Sequence, residues 1–159
     1  MAQLRLIACV ALAAACGRSE AAPSPLQAPA GWRAAPELAK AAGDAAGSAT
    51  TASEAWAEPA RGCYAVWLAL HGAAGSIDAA ADQLVAGVQK LGVTASEIAK
   101  PSTGDRGELA LAFVKPPYRG RIRAQLASTG DVTALACMWN EREPKACEAA
   151  CTQLLGSLR

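Results

Sequence analysis

The sequence predicts an α+β fold, a two-layer sandwich in which helices cover one face of a mainly antiparallel sheet. Three observations carry this. CYAVWLAL at residues 63–70 is a continuous apolar run bounded by Gly62 and HGAAG, the pattern of a buried strand. Residues 76–92 carry apolar side chains at helical spacing between a capping Ser76 and a terminating Gly92. Three segments between residues 108 and 139 then alternate and are joined by tight turns, and a cysteine-bearing helix closes the chain. The expected order is β-α-β-β-β-α, with helices on one face.

The first helical region opens with Pro36, suited to the first turn, and PELAKAAGDAA continues it, weakened by Gly43 and Gly47. A further helical turn is expected over Ser53 to Glu58. Leu38 and Trp56 are the only large apolar anchors of residues 36–60, so this segment is expected to drape over a domain beginning near Gly62. The helix at 76–92 is the best specified element: Ile77, Ala81, Leu84, Val88 and Leu91 form one stripe, with Asp78 in the first turn and Lys90 in the last matching the helix dipole. A loop containing Pro101 and Gly104 leads to ELALAFVK, PPYRG turns the chain, and RIRAQLA alternates Ile122, Ala124 and Leu126 against Arg121, Arg123 and Gln125. The polar side of that strand is expected to be wet or covered by the N-terminal segment. STGD turns into VTALACMW, and the last helix starts near Pro144 with Cys147, Cys151, Leu154 and Leu158 on one face. Trp67 and Trp139 belong to the core, and Trp32 and Trp56 are placed to dock the preceding segment onto it.

At 159 residues the chain has room for one domain plus leading segments, and although it is 52% hydrophobic, nearly half of those residues are alanine. Alanine buries little area, so a domain of this size gains from covalent staples. The formal net charge is +1, and loss of residues 1–15 would remove Arg5 and bring it to neutrality, which argues against a nucleic-acid partner.

The chain begins MAQLRLIACVALAAAC, where Arg5 precedes a short apolar run ending in Ala13, Ala14, Ala15 and Cys16. This resembles the signal segment and lipobox of bacterial lipoproteins, and the resemblance implies export and lipidation of Cys16. Ordinary secretory cleavage near Ala21 and Ala22 is the alternative, giving a periplasmic or secreted soluble protein. Residues 1–15 are then a signal peptide, 16–35 a Pro/Ala-rich tether, 36–60 an Ala-rich partly helical segment and 61–159 the domain. Within the resemblance, Gly17 after the cysteine favours the outer membrane, facing the periplasm. The membrane is thus one expected partner, through the N-terminal lipid, and an envelope component the other.

In such a compartment Cys63, Cys137, Cys147 and Cys151 are expected to form two disulfides. Cys147 and Cys151 lie one turn apart on one helix with parallel side chains, so each is expected to reach a strand cysteine, leaving two connectivities open. The alternative is a copper or thiol-redox site of Cys147, Cys151 and His71, since CEAAC is similar in spacing to the CxxxC of copper-delivery proteins.

His71 and the following GAAGS could seat an anion, but no P-loop lysine follows and a tight turn explains the glycines. No GxSxG elbow or nucleophile–base pair is evident, so the expected role is non-enzymatic, structural or binding, with no cofactor. Lys115, Tyr118, Arg119, Arg121 and Arg123 form the candidate binding surface, cations with one aromatic on a hairpin without acids. Its alternative is a solvated hairpin whose charges discourage edge pairing.

Overall fold

A computed structural model describes residues 26–72, 76–90, 92–142 and 144–158, so Cys16, the signal segment and most of the tether lie outside the described residues. The strands are β1 (Arg33–Ala34), β2 (Thr50–Glu58), β3 (Cys63–Leu70), β4 (Thr94–Ala99), β5 (Ser102–Thr103), β6 (Arg106–Lys115), β7 (Tyr118–Ala127) and β8 (Val132–Asn140). The helices are α1 (Pro36–Ala46), α2 (Ile77–Lys90) and α3 (Pro144–Gly156). All strands join one antiparallel sheet in the order β1-β2-β3-β8-β7-β6-β4, with β5 paired to β6. The α+β class holds, and no helix among the described residues is long and apolar enough to cross a membrane.

Register decides which side chains share a face, because directly opposed residues of an antiparallel pair point the same way. Cys63, Ala65 and Trp67 of β3 oppose Trp139, Cys137 and Leu135 of β8, and all six are buried on the face covered by α3. Val66, Leu68 and Leu70 oppose Ala136, Ala134 and Val132 on the other face, where α1 packs on β2 and β3 and α2 on β4, β6 and β7. Helices therefore cover both faces, which corrects the two-layer arrangement with helices on one face. The physical reason lies in β3 and β8: both are apolar at odd and even positions alike, and a strand of that kind needs cover on each side.

Two further expectations are corrected. Ser53 to Glu58 is part of β2, not a helical turn, and Trp56 pairs into the sheet opposite Ala65. Residues 36–60 are thus half helix and half sheet, and the folded part begins before Gly62. The segment expected as a loop around Pro101 supplies β4 and β5, so the order is β-α-β-β-α-β-β-β-β-β-α. Elsewhere the elements agree. The Ser76 hydroxyl accepts the Ala79 N–H as an N-cap, and Gly92 closes α2 at φ 72°. In the α2 stripe Ala81 is buried and Leu84 and Val88 half-buried, while the Ile77 side chain and Leu91 lie outside the described residues.

Two glycines are held by close approach. At Gly43 an added Cβ would meet Ser53 Oγ at 3.2 Å, because α1 lies directly on β2. At Gly120 it would collide with the Cys137 carbonyl oxygen and meet Phe113 Cζ at 2.5 Å, because the Phe113 ring of β6 covers that glycine. Trp32 and Leu26 are buried with Trp56, Trp67 and Trp139 under α3 and lock the start of the described chain onto that face.

Candidate functional site

The four cysteines meet under α3. Cys63 bonds to Cys147 and Cys137 to Cys151, with Cα–Cα separations of 5.6 and 5.7 Å. Each bridge joins a strand to the helix, and the structure selects one of the two open connectivities. The pairing follows from register, since two adjacent strands offer their cysteines one helical turn apart. All four sulfurs belong to residues no more than 1% exposed, surrounded by tryptophan and leucine. His71 follows the far end of β3 from Cys63, eight residues of strand or roughly 26 Å away, so the alternative metal set of Cys147, Cys151 and His71 is not brought together. No group of three potential metal ligands occurs among the described residues. The His71 ring instead lies 2.5 Å from Asp131 Oδ1, and the Thr129 hydroxyl donates to the other carboxylate oxygen at 2.9 Å. Those bonds, Thr129 first and His71 next, hold the Asp131 carboxyl below its ordinary value. Part of the glycine turn after His71, residues 73–75, is outside the described residues.

The cationic hairpin does not present a free basic patch. Arg123 makes a two-pronged contact with Glu108, at 2.8 and 3.0 Å, and donates through Nη1 to the Leu155 carbonyl at 3.1 Å. It thereby supplies the C-terminal cation that α3 lacks in its own last turn, and the bond to Glu108 raises the guanidinium above its ordinary value. Gln125 donates to the Leu158 carbonyl at 3.4 Å. The polar side of β7, expected to be wet or covered by the N-terminal segment, is wet at Arg119 and Arg121, which stay about half exposed, and is bonded to α3 and the residues beyond it at Arg123 and Gln125. Arg121 lies 3.5 Å from Glu148 and Arg119 2.9 Å from Glu141. Lys115 is also engaged, and the Tyr118 ring stands edge-on to Tyr64 at 5.9 Å. The expected surface residues are neighbours, and each of the three arginines has a glutamate beside it, with Arg119 and Arg121 about half exposed in their pairs to Glu141 and Glu148.

The open site is on the opposite face. α1 rests over β2 and β3 and α2 over β4, β6 and β7, which leaves β8 between them without a helix of its own. The walls are low there: α1 offers Ala42, Ala45 and Ala46, and α2 offers Gly87 beside Leu84 and Val88. The floor is Val66, Leu68 and Leu70 of β3, Val132, Ala134 and Ala136 of β8, and Ile122 of β7. The groove has a volume of about 580 Å³, inside the ~300–1,000 Å³ typical of small-molecule sites. Gly87 is exposed on the wall, and a Cβ there would meet nothing within 4 Å, so a side chain at that position has room. Gln83 and Lys90 are the only lining residues with polar side chains among the described residues. A second hollow of about 600 Å³, on the edge near β5, carries more polar side chains, and its Glu108 and Asp131 are already paired to Arg123 and His71.

Sequence reasoning singles out none of the groove residues as a site. A signal is present: Ala134 and Ala136 share their parity with Val132, and Gly87 interrupts a helix otherwise well formed. Small residues on an apolar face read as filler until the neighbouring helices are known to leave them uncovered. No protein-family model and no curated protein matches this chain.

Proposed function

We propose that the chain is an exported envelope protein, anchored through a lipid on Cys16, whose disulfide-stapled domain acts as a non-enzymatic binding module for an apolar ligand held between α1 and α2. The observation that carries the binding role is the apolar hollow between α1 and α2: Val66, Ile122, Val132 and Ala134 of its floor are buried, but Leu68, Leu70 and Ala136 of the floor and Leu84 and Val88 of the wall stay partly exposed, apolar surface that a bound apolar ligand would remove from water. Two fully buried disulfides support an oxidising compartment, where such bonds persist. The signal-like start and the small residues before Cys16 support export and anchoring.

Binding is tested with an environment-sensitive apolar fluorophore added to the oxidised mature chain and to its Gly87→Leu variant. The groove reading expects saturable fluorescence enhancement in the parent and its loss in the variant, because a leucine at that open position fills the channel. Enhancement that survives the substitution rejects it. Intact mass of the protein from its native membrane tests the anchor: a diacylglyceryl-type increment on Cys16 supports it, and an unmodified N-terminus near Ala21 or Ala22 replaces it with ordinary secretion.

A further inference from the structure

Resting on the binding role just proposed, we infer that the groove holds one alkyl chain with an anionic head, a diffusible fatty acid by chemical class, and that Lys90 receives the head. The floor runs along β3 from Val66 to Leu70, about 13 Å, and spans β3, β8 and, through Ile122, β7, about 10 Å across, which gives room for an extended alkyl chain lying along the strands. Beside Lys90, Gln83 is the one polar side chain on the lining among the described residues, too few partners for a peptide, whose amides would lose their water without replacement, and this favours methylene groups.

Charge selects the head group. Lys90 is the one ionisable residue on the lining, it is exposed in the last turn of α2, and it has no ion-pair or hydrogen-bond partner among the described residues. No acid lines the groove among the described residues. A carboxylate at its mouth gains a partner, whereas a cationic head meets repulsion.

The test is titration calorimetry of the oxidised mature chain with octanoate, decanoate and dodecanoate, and with dodecanol and dodecyltrimethylammonium as head-group controls. Affinity is expected to rise about 4-fold for each added methylene until the groove is filled. Dodecanoate should bind more tightly than dodecanol and the cation most weakly. Lys90→Gln should weaken dodecanoate by about 2- to 5-fold and leave dodecanol unchanged. Gly87→Leu should abolish all three, with thermal stability kept or raised because leucine favours helix over glycine. Equal binding of dodecanoate and dodecanol, insensitive to Lys90→Gln, overturns the head-group assignment while the groove reading stands. Absence of chain-length dependence, or binding of an amphipathic peptide in place of any alkyl chain, overturns the ligand class. Absence of both fluorophore and alkyl binding in the parent protein removes the groove reading itself.

Discussion

Replacing Cys63 and Cys147 together by alanine removes the bridge that closes 84 residues, whereas replacing Cys137 and Cys151 removes one that closes 14. Chain-entropy reasoning assigns about 4.5 kcal/mol to the longer loop and about 3 kcal/mol to the shorter, a difference of about 1.6 kcal/mol. The comparison is clean for packing, because all four residues are essentially inaccessible and both double variants delete two sulfurs beneath α3. Each variant also keeps the other bridge, and that bridge shortens the open path from residue 63 to 147 very little. With total stabilities of roughly 5–15 kcal/mol for domains, the Cys63/Cys147 variant should be the one near the edge of unfolding. Urea unfolding of both variants, analysed with their m values because a less constrained unfolded state exposes more surface, measures the difference. Equal losses, or a larger loss for Cys137/Cys151, would refute the claim that loop length governs how these staples act.

Gly120→Ala should cost about 3 kcal/mol by overpacking, since its methyl group would lie against the Phe113 ring and the Cys137 carbonyl; thermal unfolding that shifts by less than a degree would contradict this. Arg123→Ala should cost about 1–2 kcal/mol through the lost contacts to Glu108 and Leu155, and Arg119→Ala, an exposed pair with Glu141, under 1 kcal/mol. Urea unfolding giving equal losses would reject the capping role of Arg123 on α3. The Asp131 carboxyl, held low in the folded state, contributes stability that is present above its ordinary value of 3.8 and is lost as pH falls through the lower folded value. NMR titration should show that value return towards 3.8 in Thr129→Ala, and less so in His71→Ala; no change in either variant would contradict the assignment of cause.

The elements whose local signals agree with their tertiary setting are legible in the sequence: α2 with its Ser76 cap and Gly92 stop, β6 and β7 with their alternation, and α3 with its cysteines on one face. β2 and β4 are not, for a physical reason. TTASEAWAE and TASEIA are rich in alanine, serine and glutamate, poor strand formers, and they are extended because β3 and β6 offer them hydrogen-bonding edges. The layer arrangement is implicit in β3 and β8, whose two faces are both apolar. Arg121, Arg123 and Gln125 on β7 argue the other way, since their polar row hides the fact that they bond to glutamate side chains and to the carbonyls of α3's last turn and the residues beyond it. Of the sites, the disulfide cysteines are foreseeable in kind but not in connectivity. The groove is not, because it is defined by where α1 and α2 are absent.

Methyl-resolved NMR of the oxidised mature chain during titration with dodecanoate tests the groove most directly. Val66, Leu68, Leu84, Val88, Ile122 and Val132 are expected to shift together and to saturate, while Leu135 and Leu154 beneath α3 stay unmoved. Shifts confined to the α3 face, or spread over both faces without saturation, would contradict a binding site between α1 and α2.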